Sequence, residues 1–236
     1  SFGPQSSVRS PQSFSPPRPA PIFPAMLPRT LTVVSHPLVQ HKMALLRSVD
    51  TPTREFRQLV GEIATLLAYE ATRTLETEPV KVTTPLETME GHRIPKDRIV
   101  LVPILRAGLG MVDAVAALFP TAGVGHMGLY RNEATLEPVS YYFKIPPLGA
   151  DKVYLVLDPM LATGGSASAA IAKLKESGAK RIQLISLVAA PAGVERMSRD
   201  HPDVGVFVAA LDRQLNDHGY ILPGLGDAGD RLFGTT

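Results

Sequence analysis

The sequence contains no cysteine. A disulfide framework, a thiolate metal site and a thiol nucleophile are therefore excluded, and the cytoplasm is the expected compartment. No apolar run approaches the roughly 18 residues that a membrane-spanning helix needs, so no membrane association is expected. Acids are missing from the first thirty residues, which hold Arg9, Arg18 and Arg29. The formal charge of +2 comes from that stretch, because the other 21 bases face 22 acids. A nucleic-acid partner needs a clustered basic face, and the body of this chain offers none. His36, His41, His92, His126, His201 and His218 lack ligand-pair spacing of the His-Glu-x-x-His kind, so structural roles are expected for them and no metal held directly by side chains. No internal repeat is visible.

What is present suits one catalytic domain. The chain has 236 residues and is 44% hydrophobic, enough for a single sizeable core of α/β type. Residues 1–28 carry eight of the 22 prolines and six serines without apolar periodicity, and they are read as a disordered tail preceding a domain over 29–236. An acid-free, serine-rich start also suits a transit peptide, but this density of proline breaks the amphipathic helix such peptides use. Met26 would be a natural start for a shorter chain.

From Leu31 the pattern alternates. Short β-branched runs at 31–34, 80–83, 98–102, 124–130, 152–157, 181–188 and 204–211 read as strands, and continuous apolar runs of this kind suit strands covered on both faces. Helical spacing marks 37–47, a segment from Thr51-Pro52 to about Thr74, and 107–119, 164–177 and 191–199. Alternation of this kind predicts a mostly parallel central sheet flanked by helices, with right-handed crossovers. Ligands then bind beyond the carboxyl ends of the strands, which directs attention to the segments after Val102, Tyr130, Leu157 and Leu211.

After the strand ending at Leu157 comes Asp158-Pro-Met-Leu-Ala-Thr-Gly-Gly-Ser166, and then a helical pattern. Thr163, Gly164, Gly165 and Ser166 at a helix start let backbone N–H groups converge on one anion, with the helix dipole behind them. The Thr163 and Ser166 hydroxyls add donors. A tight turn between strand and helix would use the same glycines, but the acid ending the strand changes the weighting. Asp158, five residues before the cradle, can accept both hydroxyls of a ribose while the loop holds its 5′-phosphate. No Walker lysine follows, which disfavours a nucleoside triphosphate.

Three further segments carry chemistry. Pro103-Ile-Leu-Arg-Ala-Gly-Leu-Gly110 sets Arg106 among small residues after a strand, where a guanidinium can fork onto a pyrophosphate. The stretch from Tyr130 to Lys144 mixes charges with aromatics and contains Arg131; a long insertion of this kind between strands reads as a lid, while Lys144 reads as a solvated charge. Gly224, Gly226 and Gly229 spell a literal dinucleotide fingerprint, but that fingerprint must follow a strand, open a helix of a βαβ unit and meet an acid about 20 residues on, and only seven residues follow Gly229 here, so an NAD-dependent dehydrogenase is disfavoured.

Taken in order, these motifs resemble those of the uracil phosphoribosyltransferases within the type I phosphoribosyltransferase family, from His36-Pro-Leu38 to Phe233-Gly234-Thr235. Most of that superfamily carries two adjacent acids where this chain has Asp158-Pro159, a form the uracil branch shares. The resemblance implies the type I fold with a small hood and a C-terminal base-binding region, and a reaction joining uracil to phosphoribosyl pyrophosphate. It implies that Arg106, Arg131, Asp158 and Asp227 are catalytic, and that Asp158, Pro159, Met160, Leu161, Ala162, Thr163, Gly164, Gly165 and Ser166 bind phosphoribosyl pyrophosphate together with Arg106, Arg131 and Asp227. Ile221, Gly226 and Ala228 would meet uracil through backbone groups, with Tyr220 packed nearby and Asp227 adjoining. Magnesium held mainly through the substrate, a homo-oligomer and a GTP effector are implied likewise. The rival reading is a regulator of pyrimidine gene expression on the same fold; it calls for a basic RNA-binding face.

Overall fold

The computed structural model describes residues 30–131, 138–147, 149 and 151–235, with no account of the Arg131 and Pro138 side chains. The expected tail over 1–28 lies outside them. The elements run β1 (Leu31–Val33), α1 (Pro37–Arg47), α2 (Thr53–Ala71), β2 (Glu78–Thr83), β3 (Thr88–Arg93), β4 (Ile99–Leu105), α3 (Leu109–Leu118), β5 (Gly123–Val124), β6 (His126–Arg131), β7 (Pro138–Lys144), β8 (Val153–Leu157) and β9 (Met160–Leu161). They continue with α4 (Gly165–Glu176), β10 (Arg181–Ala189), α5 (Pro191–Asp200), β11 (Gly205–Leu211), β12 (Gln214–Leu215), β13 (Ile221–Leu222) and α6 (Ala228–Phe233).

The central sheet has the order β1-β11-β10-β8-β4-β6-β7. Every pairing in it is parallel except that of β6 with β7. Side chains alternate across a strand, so each buried strand feeds two cores. Ile99 and Leu101 of β4 and Leu155 and Leu157 of β8 pack with Phe56, Ile63 and Leu67 of α2 and Met111 of α3 on one face. Val100, Val102, Tyr154 and Val156 meet Ile171 and Leu174 of α4 and Val194 and Met197 of α5 on the other. Each such side chain contributes roughly 1.5–3 kcal/mol by leaving water, which holds the strand ends in place for the loops they carry.

The structure corrects the sequence reading at several points. Val80 to Thr83 is not a covered strand: β2 pairs antiparallel with β3 in a separate two-stranded arm whose residues are mostly exposed. The connecting turn is organised by the Thr84 hydroxyl oxygen, which accepts from the Leu86 and Glu87 N–H groups. Thr51 does not cap α2; its hydroxyl donates to the Leu45 carbonyl at the end of α1, and Pro52 takes the N-cap place. α2 stops at Ala71, three residues early, where the Thr72 hydroxyl bonds back to the Ala68 carbonyl. In the stretch expected to be a lid, Tyr130 and Arg131 end β6, which pairs antiparallel with β7, and residues 132–137 lie outside the described residues.

Candidate active site

The carboxyl ends of β4 and β8 and the C-terminal coil enclose a cleft of about 260 Å³. Its wall takes Ala107 from the first, Asp158, Met160 and Ala162 from the second, and Gly219–Ile221 and Gly226–Gly229 from the third. Two motifs some sixty positions apart in sequence thus share one space. Among the described residues the segment after Tyr130 does not reach that wall.

Asp158 is expelled from the ladder by its neighbours. Its N–H still donates to the Ile185 carbonyl at 3.2 Å, but the Pro159 carbonyl accepts from both Leu187 and Val188, and the chain then rejoins β10 as β9. A proline without an N–H at the interruption fits a bulged position. Pro159 and Leu161 are buried behind the wall, whereas Asp158, Met160 and Ala162 are partly open to the cleft. Burial pushes the Asp158 pKa up from 3.8 to about 7, against the lowering pull of the Met160 N–H.

The cradle follows at once. Gly164 is the N-cap of α4, at φ 75° and without a side-chain cap. The first helical bond described runs from Ser168 N–H to the Gly164 carbonyl, which leaves the Ser166 and Ala167 N–H groups without an acceptor among the described residues. The Thr163 and Ser166 side chains are exposed beside them. Gly193 of α5 supports this loop from behind: a Cβ there would lie 2.6 Å from the Ala162 carbonyl and 2.7 Å from that of Leu161. Arg196, one helical turn on, brings a guanidinium nitrogen within 3.4 Å of where a Gly165 Cβ would stand. Neither α5 residue figured in the sequence reading.

Arg106 follows β4 with its side chain 60% exposed, at 3.6 Å from the Asp230 carboxylate and 6.0 Å from the centre of the Phe233 ring. An ion pair this exposed is worth about 0–1 kcal/mol, so the guanidinium is free to exchange Asp230 for a ligand anion. Arg131 ends β6, and its side chain lies outside what is described.

The glycine-rich coil has none of the geometry of a dinucleotide site. β13 pairs antiparallel with β12 instead of joining the parallel sheet, and only six residues of helix follow. Tyr220 is half exposed at the mouth of the cleft, Ile221 and Ala228 are buried in its wall, and Gly226 and Asp227 are exposed to it. The Asp227 carboxylate caps α6 by accepting from Asp230 N–H at 3.0 Å. Asn216 shapes the approach, its side-chain oxygen accepting from the His218 and Tyr220 N–H groups. An Asn two residues before a His-Gly pair is a turn signal that would have marked it.

A serine, histidine and aspartate also meet away from the cleft. Ser168 donates to Asp200 at 2.9 Å and His201 Nε2 lies 2.9 Å from the Ser168 carbonyl, which joins α4 to the end of α5. Burial lowers the His201 pKa, and both side chains are closed to substrate. No helix among the described residues is long and apolar enough to cross a membrane.

Residues 33–235 match the family model described as uracil phosphoribosyltransferase. A uracil phosphoribosyltransferase of Symbiobacterium thermophilum is 55% identical over 205 residues, covering 87% of this chain and 98% of the relative. One of Acholeplasma laidlawii is 56% identical over 205 residues, with the same coverage of each chain. Among solved structures, the AQ2163 protein from Aquifex aeolicus superposes with a TM-score of 0.83 at 38% identity, covering 87% of this chain and 99% of that one.

Proposed function

The chain belongs to the uracil phosphoribosyltransferase family, and on that premise we propose how its cleft makes UMP and pyrophosphate from uracil and phosphoribosyl pyrophosphate. The observation that carries the reading is the meeting of Asp158 and Ala162 with Tyr220, Ile221, Gly226 and Ala228 around one space. It supports adjoining places for the ribose and the base.

In the reaction a nitrogen of uracil attacks the anomeric carbon, the bond from that carbon to pyrophosphate oxygen breaks, and the nitrogen loses its proton. Negative charge grows on the departing pyrophosphate while the sugar passes through an oxocarbenium-like state, so stabilising the leaving group is the main task. Arg106 and Arg131 supply positive charge to it. Asp158 accepts the ribose hydroxyls, and the cradle of Thr163, Gly164, Gly165 and Ser166 holds the 5′-phosphate, so that the sugar is fixed for in-line attack. Pro159, Met160, Leu161 and Ala162 place those groups through the backbone. Uracil offers acceptor, donor and acceptor along one edge, and main-chain groups of Ile221, Gly226 and Ala228 complement it; cytosine inverts two of these and would leave buried groups unpaired.

Asp158 and Asp227 both line the cleft, and no group of three histidines and acids gathers among the described residues. That donor set suits magnesium, which takes one or two carboxylates together with substrate phosphates. Held mainly through the substrate, magnesium would neutralise charge on the pyrophosphate, and Asp227, which lines the cleft with Asp158, would face it. In this reading the enzyme works in the cytoplasm as a homo-oligomer with GTP as effector. Val82, Leu86 and Met89 exposed on the β2–β3 arm favour association. The regulator reading finds no support in the curated relatives compared above.

Conversion of labelled uracil to UMP in the presence of phosphoribosyl pyrophosphate and magnesium tests the proposal. Turnover lost without magnesium, and absent with cytosine, is the expected result. Turnover indifferent to phosphoribosyl pyrophosphate would overturn it.

A further inference from the structure

The coil that lines the base side of the cleft has almost no regular structure of its own, yet its backbone is pinned by charge. Asp212, directly after β11 and only 6% exposed, accepts with Oδ2 from the Gly224 N–H at 2.8 Å. The same oxygen accepts from Arg47 Nη1 at 2.8 Å, and Oδ1 accepts from Arg47 Nη2 at 2.7 Å. Arg47 Nη1 also donates to the Gly224 carbonyl at 2.6 Å, so one ion pair occupies both the N–H and the carbonyl of a single residue. A second arginine continues the pattern. Arg231 donates to the Leu225 carbonyl at 2.8 Å and to the Ser48 carbonyl, while its guanidinium lies 4.2 Å from the centre of the Phe56 ring on α2.

Gly224 is at φ 64°, and a Cβ there would collide with the Ile221 carbonyl, so its conformation is fixed as well as its contacts. Two residues later the pinning stops. Gly226 makes no backbone hydrogen bond among the described residues, and it faces the cleft. The clamp thus holds Gly224 and Leu225 and releases the chain where a ligand would need its free N–H and carbonyl.

We infer that Arg47 and Asp212 are positioning residues for base recognition: they touch no substrate but set the register of the Gly226–Ala228 backbone against the base edge. The inference rests on uracil occupying that segment. A backbone pocket has no side chain to adjust its donors, so a shift of the coil is a shift of every recognising atom at once. The clamp determines uracil affinity and the preference for uracil over cytosine, and reaches the phosphoribosyl side only through Asp227, because Asp158 and the cradle are held by β8, β9, β10 and α4.

The test uses the full chain with Asp212→Asn, Arg47→Lys and Arg47→Met. Asparagine keeps one acceptor and loses the charge, and lysine keeps the charge and loses the fork. The KM for uracil is expected to rise roughly tenfold or more in Asp212→Asn and Arg47→Met, in line with the cost of misplacing a bound group by about 1 Å. The KM for phosphoribosyl pyrophosphate should rise clearly less than that for uracil, since Asp158 and the cradle lie outside the clamped segment, and the uracil-to-cytosine ratio of kcat/KM should fall. Arg47→Lys should recover part of the uracil KM. Equal rises in both KM values, or a lowered melting temperature with an unchanged uracil KM, would overturn the inference and leave the pair structural. Should Arg47→Met not fold, the same comparison is read from Asp212→Asn and Arg47→Lys. Wild-type turnover of uracil is measured in parallel, so failure of the underlying reading shows there and not in the variants.

Discussion

Gly164 and Gly224 both adopt the left-handed conformation, at φ 75° and 64°, one in the segment proposed to hold the phosphate and one in the segment proposed to hold the base. Their surroundings differ. Gly164 joins a strand with five buried residues to a twelve-residue helix, and Gly193 of α5 packs directly beneath it. Gly224 lies in a coil fastened by a carboxylate and two arginines reaching from α1, β11 and α6. The phosphate side is held mainly by apolar burial; the base side buries Ile221, Leu225 and Ala228 as well, and adds directed polar bonds that cost more when one partner is lost. Substitutions that act on one side alone put this contrast to the test.

The largest effect should come from Asp158→Asn. An amide offers one acceptor oxygen where the carboxylate offers two, and a hydrogen bond to a charged group is worth about 1.5–3 kcal/mol. The fold should persist while kcat/KM falls by more than about tenfold; steady-state kinetics beside a melting curve will show whether it does, and a fall of less than about threefold would refute the assignment. Next in size is Gly193→Val. Its side chain would press on the Ala162 and Leu161 carbonyls, so the KM for phosphoribosyl pyrophosphate should rise several-fold with little change in that for uracil. Similar effects on both substrates would erase the distinction between the two sides.

Ala228→Leu makes the reciprocal change. Ala228 is buried in the cleft wall, and overpacking costs about 1–3 kcal/mol, so the KM for uracil should rise while binding of phosphoribosyl pyrophosphate, measured by calorimetry, stays unchanged. Asp227→Asn should do the opposite, weakening phosphoribosyl pyrophosphate use and leaving cytosine rejected. A smaller effect follows from the Asp158 carboxyl, whose pKa burial raises to about 7. If the charged form receives the ribose, kcat/KM for phosphoribosyl pyrophosphate should fall as pH drops through about 7, and Asp158→Asn should flatten that profile. The stability contribution runs the other way. Because the folded pKa exceeds 3.8, the proton's stabilising effect is complete below about pH 4 and is lost as pH rises to about 7. The smallest effect is expected from deleting residues 1–25, which should leave activity and melting temperature unchanged; a drop of more than about 4 °C would reveal a docked segment.

The phosphate side was legible in the sequence because its parts are contiguous. Val153 to Leu157 reads as a strand, Gly164 and Gly165 as the turn, and the residues from Ala167 as a helix, and the structure keeps that order. The base segment was legible only as a resemblance. Its supports, Arg47 and Asp212, are 165 positions apart, and neither stands in a local pattern that distinguishes a clamp from a surface charge. The β2–β3 arm was misread for a related reason: Val80 and Val82 are strand formers by composition, but the turn at Thr84 pairs them with their nearest neighbour and not with the sheet.

The long reach of Arg47 also orders events during synthesis. Its carboxylate and carbonyl partners are 165 and 177 positions further along the chain. At about 5–20 residues per second, translation separates them by roughly 8–35 s. Through that interval β4, β8 and β10 are synthesised ahead of the coil at 219–229. Until Asp212 and Gly224 are made, Arg47 therefore has neither of the partners with which it fixes the coil.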